Sequence, residues 1–386
     1  MIYLDNSATT AVRDEVREAM LPWLSHDGGG NPSSVHKPGR AARKAMDKAR
    51  EQVAQLVHCA PDEIYFTPCA TYSNNVAIIG RARFAEANGH GKHLITSQIE
   101  HPSCLGPAKY LEANGWDVTY LPVNSRGLLD ANDVQRAIRK DTSIISLMWA
   151  NNEIGSLFPI AEIGKLAKDR AIYFHTDAVQ VPGKLRIDVN DLNVDTLSLS
   201  GHKFYAPKGI GIFYKRANVQ VQPIVWGGGQ ESSLFPGTEP VANIVGIGIA
   251  AELADNELPR VQPRLTDMQR ILLTGFAQME GVRITGPDDL GHRLPGHVSM
   301  VVSGIQGEAA VVQADLKGLC ISSASACHKG IMSPSHVVSA LGIDSEVAMG
   351  SLRISAGRFN EPEHCERAVE LLSRIIKTLR TQELKV

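Results

Sequence analysis

Short apolar runs alternate with stretches of helical periodicity through the middle of the chain. Ile64-Tyr65-Phe66, His93 to Ser97, Ser143 to Trp149, Ala171 to His175 and Val194 to Leu199 read as strands. Between them, Arg40 to Val57 carries Ala41, Ala45, Ala49, Val53 and Leu56 at helical spacing, and Ile160 to Lys168 is a further amphipathic helix. This alternation predicts an α/β fold with a mostly parallel sheet covered on both sides. Ligands of such sheets bind beyond the carboxyl ends of the strands. Thr67, His101, Asn152, Asp177 and Lys203 each follow an apolar run closely, so the pattern predicts that they converge. Val241 to Leu258 predicts a long helix after the Gly227-Gly228-Gly229 and Pro236-Gly237-Thr238 turns. Beyond it come a helix, strands near His297 to Val302, and a helix from Pro362 to Thr378, which read as a second, smaller α+β domain. No internal repeat or low-complexity tract interrupts the pattern.

At 386 residues the chain is too long for one small core. A hydrophobic share of 43% and a charged share of 21% are ordinary for a globular protein, and a net charge of -2 does not point to a nucleic-acid polyanion. The N-terminus lacks a basic region followed by a long apolar stretch, and no apolar run approaches the ~20 residues of a membrane span. The six cysteines include no CxxC pair, so neither a disulfide framework nor a zinc ribbon is expected. A reducing, cytoplasmic setting fits them.

The chemistry is concentrated at the strand ends. Ser200-Gly201-His202-Lys203 follows a predicted buried strand. Burial lowers a lysine pKa and frees an amine able to form a Schiff base with an aldehyde cofactor. Asp177 lies in Phe174-His175-Thr176-Asp177-Ala178-Val179-Gln180. An acid ending one strand and a lysine ending a later one suit pyridoxal 5'-phosphate: the lysine holds the aldehyde and the carboxylate keeps the ring nitrogen protonated. Taken alone, the lysine reads first as a surface residue after a turn, and the Asp177 cluster with the other motifs reverses that reading. Phe66 to Asn75 follows a strand and opens a helix, where free N–H groups and the Thr71 hydroxyl offer an anion site. A plain cap by Thr71 or Ser73 is the competing reading. His101 suits ring stacking and proton relay, or is a solvated loop histidine. Asn151, Asn152 and Gln180 bring amides toward a phenolic oxygen, or the asparagines serve a turn. Cys327 lies among small residues beside His328 and Lys329, cations that favour the thiolate; a buried inert thiol is the alternative. Arg353, inside an apolar strand, needs either a substrate carboxylate or an internal partner. Cys59, Cys69, Cys104, Cys320 and Cys365 lack such a context and read as structural.

Over essentially its whole length the chain resembles the pyridoxal-phosphate-dependent cysteine desulfurases of the nitrogen-fixation and iron–sulfur-assembly type. The resemblance rests on Tyr3 to Thr10, Asn31-Pro32-Ser33-Ser34-Val35-His36, Asn151 to Gly155, His175 to Gln180 and Ser200 to Lys203, in that order and spacing. It implies a fold-type-I aminotransferase architecture. Residues 14–256 would form the large cofactor-binding domain, and residues 1–13 plus 257–386 the smaller domain with the catalytic-cysteine loop. It also implies a homodimer with the active site at the subunit interface. Lys203 resembles the lysine that holds the cofactor, Asp177 the partner of the ring nitrogen, and Asn152 and Gln180 those of the ring oxygen. His101 would stack on the ring. Ala70, Thr71, Ser200 and His202 resemble the phosphate cup, reached by Thr238 from the partner subunit. Cys327 resembles the persulfide-forming cysteine, and Arg353, with Asn152, the substrate contacts. The implied catalytic set is Cys327, Lys203 and His101, with no metal. The implied reaction converts L-cysteine to L-alanine and passes sulfur to an acceptor protein of iron–sulfur assembly, tRNA thiolation or DNA sulfur modification. A selenocysteine lyase or another pyridoxal-phosphate lyase is the alternative on the same scaffold. Neither a membrane nor direct nucleic-acid binding is expected. Where the family usually has Ser-Gly-Ala-Thr-Glu-Ser, this chain has Pro68-Cys69-Ala70-Thr71-Tyr72-Ser73. The two arginines usual before Gly-Thr are absent from Gln230 to Pro236, and Ala324 replaces a glycine.

Overall fold

The computed structural model describes residues 1–323, 326–328 and 331–383. Its centre is a seven-stranded sheet. The strands are β1 (Ile64–Thr67), β2 (His93–Ser97), β3 (Asp117–Leu121), β4 (Thr142–Ser146), β5 (Tyr173–Asp177), β6 (Thr196–Ser200) and β7 (Gly211–Lys215). Their spatial order is β1-β7-β6-β5-β4-β2-β3, and only β7 runs antiparallel to its neighbours. Every residue of β2, β4, β5 and β6 is buried, as helices on both faces require.

Helix α1 (Lys37–Val57) covers this sheet with a face slightly rotated from the predicted one. Ala42, Met46, Ala49, Val53, Leu56 and Val57 are buried, whereas Ala41 is exposed and Ala45 half-buried. Met46 offers far more apolar area than either alanine, so the helix turns toward it. Helix α2 (Ala70–Asn75) opens directly after β1 and continues through a π-helical turn at Val76–Gly80.

The predicted helix end at Leu258 is overturned. Helix α3 runs from Val241 to Ala277, through Pro259 and Pro263. Each internal proline removes a helical hydrogen bond and costs about 3 kcal/mol in an isolated helix. Burial of Val261, Leu265, Met268, Leu272 and Phe276 in a second core offsets that cost. This core lies around an antiparallel four-stranded sheet in the order Ser322–Ser323, β10 (Ser351–Ser355), β9 (His297–Val302) and β8 (Val282–Thr285). Leu4 joins the same core, and Ile2–Tyr3 pairs with Leu319–Cys320. The final helix, Pro362–Glu383, adds Leu372, Ile375 and Ile376.

Gly211 sets the distance between β7 and the start of α2. A Cβ there would lie 2.8 Å from the Cys69 carbonyl carbon and 2.9 Å from the Ala70 nitrogen. Both are backbone atoms with little room to move. Gly211→Ala is expected to destabilise the protein by about 1–3 kcal/mol, as overpacking does, measured by urea unfolding; an unchanged midpoint would show that the two segments separate freely.

Candidate active site

Beyond the carboxyl ends of β1, β5 and β6 lies a cavity of about 350 Å³, within the range of small-ligand sites. Ala70, Thr71, His101, Asn152, Asp177, Gln180, Ser200, His202, Lys203 and Arg353 all line it, joined by Ser7, Ala8 and Cys69. The convergence predicted from the strand ends therefore includes His101, Asn152, Asp177 and Lys203 but not Thr67. Thr67 turns to Ser73 at 2.9 Å and lines a separate cavity with Tyr72, Phe235 and Thr238. Thr238 is exposed and does not approach Lys203 within one chain.

Lys203 sits in a 3-10 turn directly after β6. Its Nζ donates to the carbonyls of Ser7 at 2.6 Å and Ala8 at 2.7 Å. Burial, and then the Arg353 charge, push its amine down to about 8, although Asp5 and Asp177 pull upward. Asp177 ends β5 and is buried; Oδ1 accepts from the Val179 N–H at 3.0 Å and Oδ2 from Asn74 Nδ2 at 2.8 Å. Asn74 also donates to Ser103 Oγ at 2.9 Å, and its Oδ1 faces His175 Nε2 at 3.0 Å. Burial drives His175 down to about 3, so the ring is neutral and donates from Nε2 to Asn74. Ser103 lies against His101 Nδ1 with its hydroxyl at 2.8 Å and its backbone N–H at 3.1 Å. An acceptor Nδ1 leaves the His101 proton on Nε2. Burial lowers the His101 pKa, with Asp177 opposing, so the neutral ring is favoured.

The helix-cap reading of the anion site is not what forms. Cys69 is the cap residue of α2 with no side-chain cap bond, and Ser73 points inward to β7. The Cys69 carbonyl receives the Tyr72 and Ser73 N–H groups, which leaves those of Ala70 and Thr71 at the helix start. Ser200 is buried on the opposite wall, and His202, held by Thr9 at 3.1 Å, is pushed down to about 4 by burial and the neighbouring lysines. This set offers an amine, a carboxylate, a flat imidazole and a cup of N–H and hydroxyl donors, which fits the chemical groups of pyridoxal 5'-phosphate.

Both readings of Arg353 are present in its geometry. It pairs with Asp5 at 2.8 Å and donates to the Asn152 carbonyl at 3.1 Å, yet its Nε is buried without a partner among the described residues and the residue borders the cavity. The backbone of Ala326–His328 pairs with Ile331–Ser333, opposing Cys327 to Met332. The Cys327 side chain and residue Ala324 lie outside the described residues. Downstream of that hairpin, Ser335 donates to Glu153, and His336 donates from Nε2 to the Glu100 carbonyl at 3.0 Å.

Sequence reasoning passed over Asp5, Ser7, Ala8, Asn74, Ser103 and Lys184. The Ser7 and Ala8 contributions are carbonyls, which no side chain announces. Asn74 acts behind the cavity wall, and Ser103 borders the cavity while holding His101. Lys184 had a usable signal, a lysine in the otherwise small and apolar run Val181-Pro182-Gly183-Lys184 after the strand. It is 7% exposed, and burial, with Lys203 and Arg353 nearby, pushes its amine down to about 7.

That depressed value has a pH signature. Between about 7 and 10.5 the unfolded chain keeps a proton on Lys184 that the folded chain has lost. The penalty is complete below pH 7 and is relieved as pH rises, with an upper limit of about 5 kcal/mol from the shift in pKa. Lys184→Met is expected to raise the stability of the apoprotein at pH 7 and to flatten its rise toward pH 10. Denaturant midpoints across that range test this, and parallel curves for the two proteins would contradict it.

Comparisons with known proteins agree with this geometry. The class-V aminotransferase family pattern matches residues 2–367. The protein named cysteine desulfurase IscS from Dictyoglomus turgidum is 44% identical over 381 residues, covering 98% of this chain and 95% of that protein. A solved structure titled NIFS-like protein superposes with a TM-score of 0.90 at 35% identity, covering 98% of this chain and 99% of the other. Another, titled SspA in complex with cysteine, gives 0.80 at 36% identity, covering 94% and 100%. With a buried lysine, an acid and a set of N–H and hydroxyl donors gathered in one cavity, the chain belongs to the class-V aminotransferase family, among its cysteine desulfurases.

Proposed function

We propose that the protein is a pyridoxal-phosphate-dependent cysteine desulfurase that converts L-cysteine to L-alanine and hands the sulfur on as a persulfide of Cys327. The observation that carries this reading is the common cavity of Lys203, Asp177, His101 and Arg353. Lys203, Asp177, His101, Asn152 and Gln180 would hold the cofactor ring. Ala70, Thr71, Ser200 and His202 would hold its phosphate, with Thr238 of a second subunit completing the cup in a homodimer. When bound, the cofactor supplies an electron sink for carbanion chemistry next to the amino group.

Arg353 and Asn152 orient the substrate, the guanidinium taking its carboxylate. Lys203, with an amine near neutral pH, removes the proton from the substrate Cα and returns a proton to the product. The Cys327 thiolate attacks the substrate sulfur. An S–S bond forms and the C–S bond breaks, its electron pair staying on carbon, which takes up a proton. The sulfur is oxidised by the two electrons the carbon gains, so no outside oxidant enters. His101, neutral with its proton on Nε2, would stack on the ring and serve proton transfer. The core of Leu4 and residues from Val261 on supports a smaller domain of 1–13 plus 257–386 beside a larger one of 14–256, with Leu294, Val301 and Val337 to Ala348 packed against the larger core. No helix among the described residues is long and apolar enough to cross a membrane. Free thiols at Cys59, Cys69, Cys104, Cys320 and Cys365 support a reducing, cytoplasmic setting. The acceptor is a protein of iron–sulfur assembly, tRNA thiolation or DNA sulfur modification.

Cys327→Ala is expected to keep the bound cofactor's visible absorbance and lose persulfide formation, with cysteine turnover down by about 10³-fold or more, toward the roughly 10⁶-fold scale of a lost nucleophile. Mass spectrometry of the protein after cysteine treatment reads the persulfide directly. Full turnover by this variant, or selenide release independent of Cys327, would move the reading to a lyase. Arg353→Lys loses the bidentate fork and is expected to raise KM for cysteine about tenfold or more with a smaller effect on kcat; an unchanged KM would leave Arg353 with its Asp5 pairing alone.

A further inference from the structure

Behind the cavity wall, Lys184 Nζ lies 3.4 Å from Gln180 Oε1. No carboxylate among the described residues pairs with this lysine; the charges that act on it, Lys203 and Arg353, both repel it, and the neighbouring His297 ring is driven neutral by burial. On its other side the Gln180 amide donates from Nε2 to the Ser7 carbonyl at 3.0 Å. That carbonyl also accepts from Lys203, and Gln180 itself borders the cavity. A donor on Oε1 and an acceptor on Nε2 fix which way the amide points. Nε2 carries two hydrogens, so one remains for an acceptor inside the cavity.

We propose that Lys184 is a positioning residue of the cofactor site, holding Gln180 by its carbonyl so that its amide N–H faces the cofactor's ring oxygen. The proposal rests on reading Gln180 as a cofactor contact. Without Lys184 the amide loses the donor that favours this orientation, and a flipped amide would set Oε1 against both the Ser7 carbonyl and the ring oxygen. The buried amine is thus kept at a cost to stability for the sake of ligand geometry. A lysine that only supported the fold would behave in the opposite way.

The experiment titrates apoprotein with pyridoxal 5'-phosphate, reading visible absorbance, for wild type, Lys184→Met, Gln180→Ala and the double variant. Lys184→Met is expected to bind about tenfold more weakly, the scale of one lost charge-assisted hydrogen bond, with its apoprotein thermal midpoint equal to or above that of wild type. The double variant should bind no more weakly than Gln180→Ala alone, since both changes act through one amide. Binding by Lys184→Met within about twofold of wild type, or additive losses in the double variant, overturns the proposal. Should Lys184→Met fail to fold, Lys184→Leu replaces it, a neutral side chain that also lacks an N–H donor. Binding about tenfold weaker then supports the proposal, and unchanged binding overturns it. If Gln180→Ala binds as wild type does, the reading of Gln180 falls first and takes the proposal with it; if Gln180→Ala loses affinity and the Lys184 variant does not, only the role of Lys184 falls.

Discussion

Three cationic side chains, Lys184, Lys203 and Arg353, are brought into and behind one cavity, with Asp5 and Asp177 as the carboxylates that act on them. Gathering like charges away from water is unfavourable unless each is solvated by the protein. The fold does this largely with uncharged acceptors: the Ser7 and Ala8 carbonyls for Lys203, the Asn152 carbonyl for Arg353 and the Gln180 amide for Lys184. Carbonyl dipoles stabilise the cations without cancelling their charge. Most of these contacts depend on residues 5–8, which leave the small sheet and cross to the large one. The Asp5–Ser355 bridge and the Ser7 hydroxyl on His297 fix that crossing.

The acid and the imidazole are positioned through a polar chain inside the sheet and its covering helix. His175 directs Asn74, Asn74 holds Asp177 and Ser103, and Ser103 holds His101. The His175–Asn74, Asn74–Asp177 and Asn74–Ser103 links are buried, so breaking one would strand a polar group at a cost of roughly 1–3 kcal/mol, whereas the Ser103–His101 link is half-buried. The π-helical turn that begins at Val76 starts two residues after Asn74, and such turns are frequent at functional sites.

The departures from the family pattern are concentrated on the wall between the cavity and Thr238. Tyr72 and Phe235 stack with ring centroids 5.6 Å apart, joined by Tyr65 and Phe213. Next to them Glu231, Ser232 and Ser233 adopt φ of 45°, 55° and 63°. Consecutive left-handed residues without glycine are strained. Arg50, bound to Glu231 at 2.6 Å, and the Phe66 N–H at 2.9 Å hold that segment in place. An aromatic contact thus lines this edge.

The sequence alone determined the alternation of strands and helices, and with it the side of the sheet on which chemistry would gather. It also singled out Lys203, Asp177 and Cys327, because a titratable side chain at the end of an apolar run, or a thiol beside cations, is unusual enough to be read without coordinates. Tertiary structure decided what surrounds them. It carried α3 through two prolines, because burial on the second core was not visible from local propensity. It sent Thr67 away from the cavity toward Ser73, since following a strand does not say which way a side chain turns. It also supplied the carbonyls of Ser7 and Ala8 and the buried amine of Lys184. A backbone carbonyl has no signature in residue type, and a lysine's role depends on which distant groups share its low-dielectric pocket, which only the folded chain settles.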